Sequence, residues 1–189
     1  MRFTIIAALS LSFIPLALSA AVSDNVLSLC QSPQVVDERF IGQDKNVRLQ
    51  ALKCANSLIH ERETSLEKRQ TLPIDVCGNE CDTNCFVPAG GGPDPNECHV
   101  ISDALLFDSQ NIGALFNITT NAAVITMTFR SCESFFVNQA GVDLQYCRTD
   151  WSTVLDFVAF NCQATQNAHG GNCVAADQRW FIQVQNSSG

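Results

Sequence analysis

Two histidines, a glutamate and an arginine in the C-terminal two-thirds of the chain are the side chains best suited to acid–base chemistry. His99 and His169 are the two imidazoles after residue 70, and an imidazole exchanges a proton near neutral pH. With Glu133 and Arg130 they could supply the general acid, general base and cation of a small ribonuclease. His99, however, follows Cys98 in the predicted first turn of a helix, and His169 lies in a glycine-containing loop. A surface role is therefore the simpler interpretation for both.

No other pattern identifies a catalytic centre or calls for a cofactor. No serine lies in a Gly-x-Ser-x-Gly motif. The run Gly90–Gly92 is followed by proline and aspartate, whereas a phosphate-binding loop would continue with lysine and a hydroxyl residue. Trp151 and Trp180 could stack on a sugar, but both lie on predicted core faces.

The cysteines predict a disulfide framework. Eight of the ten follow residue 70: Cys77, Cys81, Cys85, Cys98, Cys132, Cys147, Cys162 and Cys173. The first four, with His99, could be drawn as a metal site, but an even set in an exported chain favours disulfides and no metal. Eight cysteines allow roughly a hundred pairings, and the spacing does not choose among them. Cys30 and Cys54 could pair with each other or with the later cysteines.

The N-terminus predicts export. Arg2 precedes an apolar run and then small residues, which is typical of a signal peptide over residues 1–20. No second run of about 20 apolar residues follows, so we expect no membrane span. The expected location is extracellular.

A dibasic site divides the exported chain. Lys68-Arg69 resembles the cleavage site of a kexin-type protease, so we expect residues 21–69 to be a pro-segment and residues 70–189 to be the mature cysteine-rich domain. The apolar spacing across 44–63 favours an amphipathic helix in the pro-segment.

Charge argues against nucleic acid as a partner. After residue 70 the chain has no lysine, three arginines and twelve carboxylates, a net charge of −9. Affinity for phosphate backbones comes chiefly from lysine and arginine. We therefore expect no nucleic-acid binding.

Periodicity predicts an α+β fold. An acceptor at Asp94 followed by proline predicts a helix over 95–108, and an apolar stripe predicts a second helix with Thr149 or Asp150 as its N-cap. Alternation predicts strands over 115–119, 124–129, 134–137, 144–147 and 179–185. The first four should form two hairpins. The expected architecture is an antiparallel sheet with both helices packed on one face, stapled by disulfides.

Two sequons predict N-glycosylation. Asn117 and Asn186 each begin an Asn-x-Ser/Thr motif. Asn117 should face solvent because its neighbours alternate with it toward the core.

One family resemblance connects these features. The runs Arg130-Ser131-Cys132 and Tyr146-Cys147-Arg148-Thr149-Asp150-Trp151, the second before a helix that ends at Cys162, resemble those of the killer-toxin-like and necrosis-inducing effector-like small cysteine-rich proteins of fungi. The likeness covers roughly residues 98–185. It implies an α/β sandwich and action on other cells. The chain departs from the toxins in being acidic and lysine-free after residue 70, which argues against direct action on a membrane or ion channel.

We therefore expect a secreted, non-enzymatic effector-like or toxin-like protein that binds a protein or glycan of a host or competitor. The alternative is a small extracellular hydrolase or ribonuclease that uses His99 and His169. A third interpretation is an inert wall component.

Overall fold

The described part of the chain forms ten strands and two α-helices. The structure is a computed structural model in which residues 29–56, Leu58 and residues 72–187 are described. The predicted signal peptide and the Lys68-Arg69 site lie outside the described residues. The elements are β1 (Gln34–Ile41), β2 (Val47–Lys53), β3 (Ile74–Asp75), β4 (Cys81–Cys85), α1 (Pro95–Asn111), β5 (Leu115–Ile118), β6 (Val124–Phe129), β7 (Cys132–Asn138), β8 (Leu144–Cys147), α2 (Arg148–Asn161), β9 (Gly171–Ala175) and β10 (Trp180–Asn186).

Seven strands build the main sheet, in the order β1-β2-β6-β7-β10-β9-β4. Every neighbouring pair in it is antiparallel. A smaller sheet, β3-β8-β5, and both helices pack on one face of the main sheet, which we call the inner face. The predicted α+β architecture, with an antiparallel sheet and two helices on one side, is confirmed.

A cluster of aromatic rings fills the core under the helices. Phe136, on the inner face of β7, lies 5.0 Å from the ring of Tyr146, 5.6 Å from Trp151 and 5.4 Å from Trp180, measured between centroids. The Trp151 indole N–H donates to Ser134 Oγ at 2.9 Å, so its polar atom is satisfied although the side chain is fully buried. The two tryptophans therefore serve the core, as their periodicity predicts.

The predicted helix across 44–63 is wrong over the part that the structure describes. Residues 47–53 form β2, which pairs with β1 on one side and with β6 on the other. Val47, Leu49 and Ala51 alternate toward the inner face and are buried in the core. The N-terminal hairpin is thus an integral part of the main sheet.

The predicted hairpins are also wrong in their pairing. β5 does not pair with β6 but with β8, and β7 pairs with β6 and β10. A short 3₁₀ turn at Thr120–Ala122 carries the chain from the smaller sheet to the main one. The tight turn is instead at Arg130-Ser131, between β6 and β7, where Arg130 adopts a φ of 49°.

Both helices begin close to the predicted positions. Asp94 Oδ1 accepts from the amide of Asn96 at 2.9 Å at the start of α1. The helix α2 starts at Arg148, and its N-cap, Cys147, lies two residues before the earlier of the two predicted caps. Within the described residues, neither helix is long and apolar enough to cross a membrane.

Five disulfides hold the described elements together, so the predicted disulfide framework is confirmed. Cys30 pairs with Cys54 inside the N-terminal segment. The eight later cysteines pair among themselves, as Cys77–Cys147, Cys81–Cys173, Cys85–Cys162 and Cys98–Cys132. Cys77, Cys81, Cys85 and Cys98, which could be drawn as a metal site, therefore each belong to a different bridge.

Candidate binding surface

The four residues considered for catalysis lie in four different settings. Glu133 projects from the outer face of β7, where burial raises its carboxyl pKa despite the nearby Arg48. The helix that carries His99 packs on the opposite, inner face. The main sheet therefore separates Glu133 from His99, and the two cannot act on one substrate atom.

Arg130 belongs to a turn that steadies the start of α1. Its guanidinium lies 3.5 Å from Glu97 Oε1, and Glu97 Oε2 accepts from both the amide (2.9 Å) and the hydroxyl (2.5 Å) of Ser131. These hydrogen bonds lower the pKa of the Glu97 carboxyl, those from Ser131 contributing most. Glu97, in the first turn of α1, therefore binds the β6–β7 turn.

His169 binds the glycine-rich segment of residues 88–92, which we call the strap. Its Nδ1 lies 2.6 Å from the carbonyl oxygen of Pro88, and Asn167 Oδ1 accepts from the amide of Ala89 at 3.1 Å. Farther along the strap, Asn186 Nδ2 donates to the carbonyl of Gly91 at 2.9 Å. The predicted solvated histidine thus has a structural contact, and the amide of the second sequon is engaged with the backbone.

His99 lies on the outer side of the two helices and joins them. Its Nδ1 is 3.0 Å from Asp156 Oδ2 on α2, and its Nε2 is 3.8 Å from Asp103 Oδ1 one turn further along α1. The hydrogen bond to Asp156, together with both negative charges, raises the pKa of His99 against the opposing effect of partial burial. The imidazole is therefore tied to two carboxylates.

One aromatic ring contacts this cluster, and other large apolar side chains of the two helices are exposed. Phe160 lies edge-on to the His99 ring at 6.4 Å. Phe157 is 54% exposed and Phe160 is 40% exposed, which is high for large apolar side chains. We call the following residues the acidic helix face: His99, Asp103, Leu106, Asp156, Phe157 and Phe160.

The acidic helix face has no exposed arginine or lysine of its own. Of the lysines and arginines of the chain, only Arg148 lies in α1 or α2. Arg148 is buried, where it donates to the carbonyls of Gly113 and Leu115 at 2.6 Å each and lies over the Phe116 ring. Exposed aromatic rings near two carboxylates that share a single imidazole are suited to a partner that offers cations and apolar groups.

Sequence reasoning identified His99 but missed the carboxylates and rings around it. The stripe through Trp151, Leu155 and Val158 was assigned correctly to the core. Phe157 and Phe160 fall off that stripe, and large apolar residues on the solvent side of a helix were the available signal. Asp156 could not be linked to His99 because the contact spans 57 positions.

The first sequon lies on an open edge. Asn117 is exposed on β5, the edge strand of the smaller sheet, and its Oδ1 accepts from Gln145 Nε2 at 3.1 Å. Phe116 and Ile118 on either side contribute to the core. This placement leaves room for a glycan, and glycosylation of Asn117 stays a prediction.

Replacing Asp156 with asparagine is expected to lower the pKa of His99, because the main cause of its elevation is removed. In the parent, the raised folded-state pKa means that the pair stabilises the fold below the unfolded-state pKa. That stabilisation is lost as the pH rises through the folded-state pKa. For a half-exposed pair the contribution is about 0.2–1 kcal/mol. An NMR titration of the His99 ring protons measures the shift.

The matched control for this titration is Asp177→Asn. Asp177 accepts from Arg179 Nε at 2.7 Å in a loop before β10, so its loss removes one carboxylate without touching α2. The His99 titration should be unchanged in that variant. An equal pKa in the parent and in Asp156→Asn would refute the assigned cause.

Comparison with known proteins gives no assignment: no family model matches the sequence, and no curated protein matches it.

Proposed function

We propose that the protein is a secreted, non-enzymatic effector-like or toxin-like fungal protein, similar in role to the killer-toxin-like superfamily, that acts by binding a host or competitor target. The observation that carries the proposal is the acidic helix face, where Phe157 and Phe160 are exposed on the helix that carries Asp156, and Phe160 contacts His99, the residue tied to Asp103 and Asp156. Aromatic side chains, phenylalanine among them, are enriched in protein interfaces. The disulfide framework suits an extracellular protein.

The acidic surface favours a target with cationic groups. Asp103 and Asp156 are both on the solvent side of the helices, with side chains 65% and 31% exposed. Complementary charge accelerates encounter and selects partners, and its effect weakens as salt rises. We therefore propose a target, protein or glycan-bearing, whose contact region is basic and partly apolar.

The double substitution Phe157→Ser, Phe160→Ser is expected to reduce activity on susceptible cells at least about tenfold, because truncation of an interface anchor commonly costs more than 1 kcal/mol. The dose response of the purified variant measures the loss. Both rings are solvent-exposed, so the variant should keep the parent's circular dichroism. The matched control is Leu72→Ser, since Leu72 is 78% exposed and lies away from both helices in the chain.

A second double variant separates binding from catalysis. If catalysis required both imidazoles, His99→Ala with His169→Ala would lose about 10²-fold or more for each essential group. Binding through the rings predicts a much smaller loss. Full activity of the double serine variant, together with a hundredfold loss in the double histidine variant, would overturn the proposal in favour of a hydrolase.

A further inference from the structure

The strand β1 is an open edge of the main sheet and carries exposed apolar side chains. It is eight residues long and is last in the strand order, so no other described strand pairs with its outer side. Val35, Val36 and Phe40 on it are 52%, 53% and 52% exposed. An edge of this kind presents unpaired backbone donors and acceptors beside apolar side chains, which favours pairing with another strand.

The opposite edge of the same sheet is different. β4 has five residues, and its two terminal cysteines are bridged to Cys173 and Cys162. Its outward side chains, Asp82 and Asn84, are polar and exposed. Short length and polar side chains are ordinary ways of keeping an edge unpaired. The edge at β1 also carries three charged residues and a register shift between Val35 and Asp37, but it is longer and its charges can pair with those of an identical strand, so β1 is the edge better suited to association.

The charges of β1 are self-complementary in one antiparallel register. Two identical edges related by a twofold axis perpendicular to the sheet place residues of the same face opposite each other. With Glu38 opposite its own copy, Asp37 of each chain faces Arg39 of the other, twice. The pairing of β1 with β2 shifts in register between Val35 and Asp37, so the regular part of the edge that carries this pairing is residues 37–41. If the twofold axis passed at Asp37 or Arg39 instead of at Glu38, neither charge pair would form.

The side chains are already held in position for this register. Arg39 Nη1 donates to Asp37 Oδ2 at 2.6 Å within one chain, which puts both charges on the same face. Glu38 Oε2 accepts from Gln50 Nε2 of β2 at 2.5 Å, and this hydrogen bond disperses the charge at the one unfavourable position. The two ion pairs of the dimer would extend the existing pair into a network of four charges.

We propose that two copies of this chain associate through their β1 edges, in the register that faces Asp37 with Arg39, and so join two main sheets into one. The occupant of the edge is a second copy because Asp37 and Arg39 each meet the opposite charge on an identical strand in reverse orientation. The contact is confined to one strand from each chain, so a weak, concentration-dependent dimer is expected.

Sedimentation velocity over a concentration series, on secreted protein that retains residues 29–56, tests the proposal. The parent should shift from monomer to dimer. Asp37→Arg alone and Arg39→Asp alone should each weaken association at least about tenfold, because two attractive cross-strand pairs become repulsive. An equimolar mixture of these two variants should associate as a heterodimer, since each arginine then faces an aspartate.

Two controls make the outcome specific. Asp177 and Arg179 form a similar ion pair two residues apart, at 2.7 Å, outside β1, so Asp177→Arg and Arg179→Asp should leave the association unchanged. Glu38→Gln should tighten the dimer about two- to fivefold by removing the like-charge contact. A parent that stays monomeric at every concentration, or a mixture no more associated than its components, would overturn the proposal.

Discussion

A chain that begins at Gln70 is expected not to fold, because it lacks β1 and β2. Without them β6 becomes an open edge, and the core loses Ile41, Val47 and Leu49, each at most 5% exposed. Burial of three such side chains is worth about 5–9 kcal/mol, comparable with the whole stability of a domain, about 5–15 kcal/mol. Circular dichroism and proton NMR of residues 70–189, refolded alone under oxidising conditions, measure the outcome.

Cleavage after Arg69 in the folded protein should have a different result. The β2–β6 hydrogen bonds do not depend on the covalent connection, so residues before the cut should remain bound as a separate chain. The amide of Gly42 also donates to buried Asp108 of α1 at 3.3 Å. Native mass spectrometry should find both chains together, and denaturing conditions should separate them. A natively folded product with the mass of residues 70–189 alone would contradict this expectation.

Trp151→Ala is expected to destabilise the protein by about 3–5 kcal/mol, as is usual for deletion of a buried aromatic side chain. Trp151 is fully buried, stacks on Phe116 at 5.6 Å and lies 5.6 Å from Phe136. Its removal leaves a cavity between helix and sheet and deprives Ser134 of its partner. Urea denaturation with the disulfides intact measures the change in the free energy of unfolding.

Two variants calibrate this result. Phe157→Ala removes an aromatic ring from the exposed side of the same helix, so its effect should be within about 0.5 kcal/mol. Ser134→Ala keeps the tryptophan but leaves its indole N–H unpaired, which should cost about 1–3 kcal/mol. Equal stabilities for Trp151→Ala and Phe157→Ala would show that α2 does not pack on the sheet as described.

The helices could be predicted from local sequence, whereas the sheet could not. Asp94 with a following proline sets the start of α1, and the stripe through Trp151 and Val158 sets the buried side of α2. In β2, Val47 and Leu52 are both buried but on opposite faces of the sheet. Val47, Leu49 and Ala51 alternate as in a strand, but the apolar Leu52 directly after Ala51 breaks that alternation. The spacing of the apolar residues across 44–63 therefore resembled that of an amphipathic helix.

Strand pairing depends on contacts between distant positions, and so does the acidic helix face. β2 lies beside β6 although about 70 residues separate them, and the sequence carries no local signal for that neighbour. His99 could be identified by its type alone. Its carboxylate partner Asp156 comes from the other helix, and only the packing of α1 on α2 brings the two together.

The disulfide map determines what a single proteolytic cut does to the molecule. Cys77–Cys147 and Cys81–Cys173 overlap, so every peptide bond between Cys77 and Cys173 is spanned by at least one bridge. A cut there leaves the fragments covalently linked. No bridge crosses the stretch between Cys54 and Cys77. That stretch contains Lys68 and Arg69. Of the peptide bonds between Cys30 and Cys173, only those in this stretch divide the molecule into two covalently independent chains when one of them is hydrolysed.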